Sequence, residues 1–299
     1  MFVMTMASIA DQTARFERAR PRLFGIAYRM LGAIEDAEDL VQETYLRWQE
    51  ADTASLRQPE GWLVTVITRL AIDRLRRART ERDAYFGPWL PEPLPTGPWR
   101  RADERTELES DLSMAFLLML ERLAPEERAA LLLHDVFDCG YAEIAETLAK
   151  SEAACRQIVH RARERVRRDK PRFEISLESK ERLLTDFIAA IEADDKEGVL
   201  ALLAEDASWA SDGGGKTRAA TRIVRGALRV ARLVLGFSRK TRGMLVTRMG
   251  RLNGEPAWIS YAGERVFAAT AIHTDGEKIL AVYRVLNPDK LRALESVPR

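Results

Sequence analysis

Apolar residues recur at three-and-four spacing from residue 12 to residue 82, the period of one helix face. Phe16, Leu23, Ile26, Ala27, Met30 and Leu31 make a first stripe. After Gly32 a second follows with Ala37, Leu40, Val41, Tyr45 and Trp48, and after Pro59 a third with Trp62, Leu63, Val66, Ile67, Leu70, Ile72 and Leu75. The pattern predicts three helices. The back of the second is acidic (Glu35, Asp36, Glu38, Asp39, Glu43), and the third ends in Arg69, Arg74, Arg76, Arg77 and Arg79. Periodicity stops at 86–99, where five prolines and two glycines exclude a helix and predict an extended linker. Unlike most linkers it carries Phe86, Trp89, Leu90, Leu94 and Trp99. An extended apolar strip is costly in water, so it is expected to dock on something.

Helical spacing resumes over 104–123. Pro125 suits the first turn of a helix over 126–136, and a short helix is predicted over 141–148. Ser151 is a good N-cap for a long basic helix reaching Arg168, and Pro171 marks its end. From Ser176 two helices (178–193 and 195–204) lead into turn-rich sequence at Asp212-Gly-Gly-Gly-Lys216, followed by a helix over 226–238. Strand-like alternation then covers 243–250, 256–261, 264–273 and 278–285. Asn253-Gly254 and Asp275-Gly276 act as hairpin signals between them. Helices followed by a strand meander indicate an α+β domain.

Composition bounds the class. The 299 residues suffice for two or three domains, and 46% hydrophobic with 31% charged is ordinary for a folded soluble protein. The net charge of +1 alone does not suggest nucleic acid. It is a cancellation: residues 101–200 carry a net −7 and residues 201–299 a net +8. Inside the acidic third, eight basic residues crowd between Arg156 and Arg172 against Glu164 and Asp169. Cys139 and Cys155 make no disulfide framework and suit a reducing cytosol as small semi-buried side chains. No apolar run has the length of a membrane span, and Met1–Ala10 does not read as a signal peptide. Met1, Met4 and Met6 leave the start codon open.

The strongest chemical signal is the helix–turn–helix over 141–168. In such a unit the start of the second helix meets base edges in the major groove. Glu152, Ala153, Arg156, Gln157 and His160 sit there, and Arg and Gln can grip guanine and adenine bidentately. Arg161, Arg163, Arg165, Arg167 and Arg168 lie further on and suit phosphates. Read from the residues alone, a solvated basic helix in an ordinary bundle fits equally well, and Ala149 stands where the turn usually has glycine. The basic, Trp-bearing helix over 62–79 suits stacking and phosphate contact with a single strand, although Trp62 as plain core is locally the simpler reading. The acidic helix has no His or Cys at metal spacing, so it reads as a solvated face or a docking face for a basic partner.

These segments together resemble a family. Asp36-Ala-Glu-Asp-Leu-Val-Gln-Glu-Thr-Tyr-Leu-Arg47, the run Pro59 to Arg77, and Tyr141-Ala-Glu-Ile-Ala-Glu with Ser151 to Arg165 are similar to the sigma-2 and sigma-4 domains of ECF (extracytoplasmic-function) sigma factors, in matching order. Trp89-Leu-Pro-Glu-Pro-Leu94, Asp212-Gly-Gly-Gly-Lys216 and Asn287-Pro-Asp-Lys-Leu291 resemble the SigJ-like group, whose members carry a C-terminal SnoaL-like (NTF2-like) domain. The implied architecture is multi-domain. An all-α sigma-2 domain (10–82) and a Pro-rich hydrophobic linker (83–103) precede a sigma-4 helix–turn–helix domain (104–172) and an α+β SnoaL/NTF2-like cone (176–299).

The resemblance implies roles position by position. Asp36, Glu38, Asp39, Gln42 and Glu43 would contact the RNA polymerase core. Trp62, Arg69, Asp73, Arg76 and Arg77 would place the melted minus-10 element, with Arg69 standing where many ECF factors have Asn. Ser151, Glu152, Arg156, Gln157, His160, Arg161 and Arg163 would read the minus-35 element. Trp89, Leu90, Pro91, Asp212, Gly213, Gly214, Lys216, Asn287, Pro288 and Asp289 would form a regulatory contact in which the linker strip docks near the two C-terminal motifs. The implied partners are the polymerase core (beta-prime clamp and beta flap), promoter DNA and an unidentified small ligand of the cone. The chain is expected to be a cytoplasmic monomer with no cofactor, no metal and no enzymatic activity of its own. Asp212 and His273 are the obvious acid–base candidates in the cone, but three glycines after Asp212 favour a close-packed turn over a positioned acid. Two other readings stand beside this one: a SnoaL-like cyclase or isomerase fused to a DNA-binding module, and a ligand-sensing helix–turn–helix regulator.

Overall fold

Pro59 begins a helix because its missing N–H falls where a first turn has no partner for one, and the three predicted N-terminal helices form as α1 (Met6–Leu31), α2 (Ile34–Glu50) and α3 (Pro59–Asp83). The structure, a computed structural model, describes residues 6–53, 55–96, 112–167 and 175–295. Trp99, the helix start over 104–111, Arg168, Lys170 and Arg172 lie outside the described residues. The helices continue as α4 (Met114–Leu120), α5 (Pro125–Asp135), α6 (Tyr141–Leu148) and α7 (Glu152–Arg167). Two compact units result: one holds the described residues up to 81 and from 119 to 167, the other 82–96, 112–118 and 175–295.

In the first unit α1 packs on α2, and Trp48 is fully buried, its indole N–H donating to the Gln12 carbonyl at 2.9 Å. Arg128 of α5 is 3% exposed and donates to Met30 O at 2.5 Å and to Glu121 at 2.7 Å. A cation there meets the unpaired carbonyls at the end of α1, where a helix carries partial negative charge. The turn between α6 and α7 is closed by Ala149 at φ 52°, ψ 48°, with Lys150 N–H donating to Ala145 O at 3.0 Å. This is the left-handed C-cap usually filled by glycine. Ser151 caps α7 as expected, its hydroxyl accepting from Ala154 N–H at 3.2 Å.

The second unit contains α8 (Leu177–Glu192), α9 (Lys196–Leu202), α10 (Ala227–Thr241), a terminal 3-10 turn (Pro288–Leu291) and α11 (Arg292–Glu295). Its six-stranded sheet runs in the order β2-β1-β6-β5-β4-β3. The strands are β1 (Leu203–Asp212), β2 (Val224–Arg225), β3 (Val246–Leu252), β4 (Glu255–Ala262), β5 (Arg265–Thr274) and β6 (Ile279–Val285). Strands β3 to β6 form the expected antiparallel meander, with Asn253 (φ 55°) and Gly254 (φ 77°) supplying the positive angles of a tight hairpin. Two strands correct the sequence reading. Residues 203–212 form β1, parallel to β6, and 224–225 form β2 at the sheet edge. The span Leu203-Ala-Glu-Asp-Ala-Ser-Trp-Ala-Ser-Asp212 is poor in strand-favouring residues, so its pairing with β6 decides its conformation.

The sheet buries both faces. On one side Trp209, Trp258, Ile272 and Val282 pack against α8, α9 and α10 through Leu184, Phe187, Val199, Val230 and Val234. On the other, Ala210, Ala257, Ile259, Ala269, Ala271 and Val285 pack against Leu90, Met114, Leu291 and Leu294. The layer of α8, α9 and α10 on one face of a mixed sheet matches the expected NTF2-like cone. The described linker residues are part of this unit and not a free tether: Leu90 and Leu94 are buried on the sheet, and Pro95 forms an antiparallel bridge with Leu252.

Candidate functional site

The acidic face of α2 is partly engaged within the first unit. Asp36 accepts two bonds from Arg74 of α3 at 2.9 and 3.0 Å, Glu38 pairs with Arg20 of α1 at 2.7 Å, and Glu43 pairs with Arg47 at 2.6 Å. Asp39 and Gln42 project into solvent. The five residues form one helix flank, with Asp36 also fastening α3 to α2.

On α3, Trp62 is half-buried with its ring 5.8 Å from Trp48, which makes it part of the core edge as well as an aromatic surface. Arg69 points at the helix–turn–helix. Its Nε donates to Thr147 O at 2.9 Å and its Nη2 to Glu146 O at 2.7 Å, the last carbonyls of α6. Thr65 and Thr147 share a hydroxyl contact at 3.0 Å, and Arg76 pairs with Glu126 of α5 at 2.9 Å. Asp73 accepts from Arg76 at 3.2 Å, and Arg77 donates back to the Asp73 carbonyl at 3.3 Å. The expected single-strand surface and the helix–turn–helix thus lie against each other, with two of the expected DNA contacts already in use.

On α7, Arg156, Gln157 and His160 are exposed on the leading face, with Arg156 paired to Glu152 at 3.3 Å and lying 5.3 Å from the Tyr141 ring. Arg161 is exposed beside Ile158 and Lys150 on a shallow surface that also includes Arg76 and Glu126. Arg163, another of the expected DNA contacts, is engaged within the unit. Its guanidinium grips Asp135 of α5 bidentately, Nε at 2.9 Å and Nη2 at 2.5 Å, and so holds α7 on α5. Burial raises the Asp135 carboxyl, but the hydrogen bond and charge of Arg163, aided by His134, outweigh it and hold the group below the usual carboxylate range. Arg165 is likewise tied to Glu127 at 2.6 Å.

In the second unit the linker and both C-terminal motifs converge. Asp212, at the end of β1, is fully buried. Its Oδ1 accepts from the Tyr85 hydroxyl at 2.6 Å, and its Oδ2 accepts from Leu90 N–H at 2.9 Å and Lys290 Nζ at 2.7 Å. Lys290 also donates to Leu90 O at 2.5 Å, and its ammonium lies 4.3 Å from the centre of the Trp89 ring. Arg82 stacks on the same ring at 4.0 Å. Asn287 Nδ2 donates to the Tyr85 oxygen at 2.9 Å, while Asn287 Oδ1 caps the terminal turn through Asp289 N–H at 3.2 Å. Pro288 opens that turn, Pro91 is buried in the strip, and Lys216 ion-pairs with Asp289.

The glycines are explained by contact. A Cβ on Gly213 would meet Thr217 O at 2.2 Å, and one on Gly214, at φ +57°, would meet Asn287 Nδ2 at 2.3 Å. Burial first, then the Asp212 carboxylate, push the Tyr85 hydroxyl well above the usual phenol range, so it stays a donor. Burial lowers Lys290 more than Asp212 raises it. Both Asp212 oxygens thus accept from donors of the protein in a close-packed turn.

The sequence alone does not mark Tyr85, Lys290 or Asn253 as site residues. Asn253 Oδ1 accepts from Leu94 N–H at 3.1 Å, and its own N–H donates to Leu94 O at 2.8 Å. Lys290 lies inside a quoted motif. Asn253 showed only as half of a hairpin signal, and Tyr85 had no local signal beyond preceding the apolar strip. Among the described residues, no cluster of His, Cys, Asp or Glu could hold a metal ion, and no helix is long and apolar enough to cross a membrane.

Comparison with known proteins identifies the family. The Sigma-70 region 2 family matches residues 15–81, and Sigma-70, region 4 matches residues 113–166. The chain is 37% identical over 294 residues to the ECF RNA polymerase sigma factor SigJ of Mycobacterium tuberculosis, covering 93% of each chain. It is 28% identical to the probable ECF RNA polymerase sigma factor SigI of the same organism, over 95% of this chain and 96% of that protein. The crystal structure of Mycobacterium tuberculosis SigJ is similar at TM-score 0.77 and 34% identity, over 94% of this chain and 98% of that one. Two sigma-70 regions and kinship with SigJ over 93% of each chain together establish that the chain belongs to the ECF RNA polymerase sigma factors and directs promoter-dependent transcription initiation.

Proposed function

We propose that this sigma factor reads its promoter through α3 and α7 and is regulated by its own C-terminal unit, acting on the linker. Sigma factors bind the RNA polymerase core and promoter DNA. On this chain the flank Asp36, Glu38, Asp39, Gln42 and Glu43 suits a basic clamp helix of the core, since opposite charges steer such encounters. Trp62, Arg69, Asp73, Arg76 and Arg77 suit a melted single strand. Ser151, Glu152, Arg156, Gln157, His160 and Arg161 suit duplex readout, with Arg156 and Gln157 at base edges. Arg163 belongs to the same duplex-reading set and, in the free protein, is paired with Asp135 of α5. Because Arg69 and Arg76 are bonded to α6 and α5, promoter engagement requires α3 to part from the helix–turn–helix.

One observation carries the regulatory reading: the buried Asp212 carboxylate is shared by Tyr85, Leu90 and Lys290. It clamps the chain that follows α3 onto the C-terminal sheet, and this restricts how far the two promoter-reading domains can separate. A catalytic role for Asp212 is disfavoured, because the carboxylate is fully buried and both its oxygens already accept from the protein. The small ligand of the cone and the monomeric free state belong to this same reading.

The test is run-off transcription with purified RNA polymerase core and the full-length chain. Promoter-dependent transcript is expected, and Trp89→Ala/Leu90→Ala should change its yield several-fold. Failure to bind core would overturn the reading; unchanged yield in the double variant would overturn the regulatory part.

A further inference from the structure

The second unit contains a cavity of about 280 Å³ that promoter recognition does not use. It lies on the helix-covered side of the sheet, between α8, α10, β3, β4 and β6. Its walls are apolar over Ile188, Ile191, Val234, Phe237 and Trp258, and Arg284 of β6 is its one buried cation. Serine and threonine hydroxyls lie around it, and exposed Glu192 and Arg242 stand at its rim.

Arg284 is unusual in its surroundings. It is 6% exposed, yet among the described residues no carboxylate pairs with it. Its Nη1 donates to Thr270 Oγ1 at 3.2 Å, its guanidinium lies 4.8 Å from the centre of the Phe237 ring, and its Nε has no hydrogen-bond partner. Burial alone lowers its pKa to about 10, so it remains a cation at neutral pH. A buried charge without a counter-ion is costly to a fold. Register places Trp258, Thr270 and Arg284 side by side across β4, β5 and β6, on the face that lines the cavity.

We propose that this cavity binds a small amphipathic monocarboxylate, its carboxylate paired with Arg284 and its apolar body lying between Phe237, Trp258 and the α8 isoleucines. A guanidinium presents a planar fork that matches one carboxylate. A phosphate would bring a second negative charge with no buried partner, and a neutral ligand would leave the guanidinium uncompensated. The apolar walls select a hydrocarbon or aromatic body, as in most small-molecule sites. The inference rests on the second unit alone and stands whether or not that unit regulates transcription.

The experiment is calorimetric titration of the full-length chain, in parallel with tryptophan fluorescence, using 3-phenylpropionate as reference probe within a series of aryl and branched-alkyl carboxylates. 3-Phenylpropionamide and inorganic phosphate are the controls. Saturable binding of at least one carboxylate is expected, with the amide and phosphate weaker by roughly tenfold or more. Arg284→Met should lose that binding by a similar factor while unfolding at an equal or higher temperature than the unliganded parent. Ser238→Phe, which fills the cavity from α10 and leaves Arg284 in place, should lose it as well. Saturation by no carboxylate, equal binding of the amide or phosphate, or retained affinity in both variants would overturn the proposal. Because binding is read without polymerase, its failure is distinct from failure of the transcription reading.

Discussion

Asp212 and Lys290 form an ion pair at 2.7 Å in which the carboxylate is fully buried and the lysine side chain is 13% exposed. The two lie 78 residues apart, at the end of β1 and in the terminal turn, and the linker backbone at Leu90 bonds to both. Breaking such a pair from one side leaves a buried charge uncompensated, at a cost of about 3–5 kcal/mol. Asp212→Ala should therefore destabilise the second unit by about that amount in urea unfolding. Lys290→Met combined with Asp212→Asn should cost less than the two single changes added together. Limited proteolysis should cut between residues 85 and 96 faster in Asp212→Ala than in the parent.

The three consecutive glycines should respond in order of their contacts. Gly213→Ala and Gly214→Ala place a Cβ 2.2 Å from Thr217 O and 2.3 Å from Asn287 Nδ2, and Gly214 also has φ +57°. Both should cost several kcal/mol and disturb the Asp212 site. Gly215 (φ +72°) has its nearest neighbour, Phe86, at 3.5 Å, so Gly215→Ala should cost only the left-handed backbone penalty, about 1–2 kcal/mol. Thermal unfolding of the three variants tests the order.

Ala149→Gly should stabilise the first unit. Ala149 holds φ 52°, ψ 48° at the end of α6, a region that penalises a Cβ. Relief of that strain, less the greater entropy of glycine in the unfolded chain, predicts a net gain of about 0.5–1 kcal/mol. It would appear as a rise in Tm with no change in helix content.

The Asp135–Arg163 pair should make the attachment of α7 sensitive to acid. The folded carboxyl sits below its unfolded value. Its contribution is therefore complete above the ordinary carboxylate range and fades as pH falls through the folded value. Both groups are partly exposed, so the effect is of the order of 1 kcal/mol. Asp135→Asn should remove this pH dependence, measured as urea midpoints between neutral pH and about pH 3, the range that spans carboxylate titration.

Glu126 accepts from Arg76 at 2.9 Å and pairs with Lys150 at 3.2 Å. Glu126→Gln should loosen the contact of α3 with α5 and the turn before α7. The expected sign is faster amide exchange at Thr147 and modestly tighter promoter-DNA binding by the free protein. Slower exchange or weaker binding would count against a closed free state.

The helical elements were legible because they obey local rules. Trp48 and Leu63 fall on helical stripes, Ser151 caps α7, Pro125 opens α5, and Asn253-Gly254 makes its hairpin. Each depends on residues within a few positions of itself. The docking of the linker strip was also foreseeable, since Leu90 and Leu94 in a proline-rich run need cover from water.

Pairings distant in the chain were not legible. Strand β1 is rich in Ala, Ser and acidic residues and acquires its conformation from β6, some seventy residues later. Tyr85 matters only because folding brings it to Asp212, and Arg163 braces α7 because α5 presents Asp135. Arg284 looked like one more arginine until the sheet register placed it inside a cavity without a partner. Periodicity and capping are properties of adjacent residues, so the chain alone determined its helices, its hairpin meander and its kinship. Burial and charge pairing depend on which distant segments meet, and only the tertiary structure decided those.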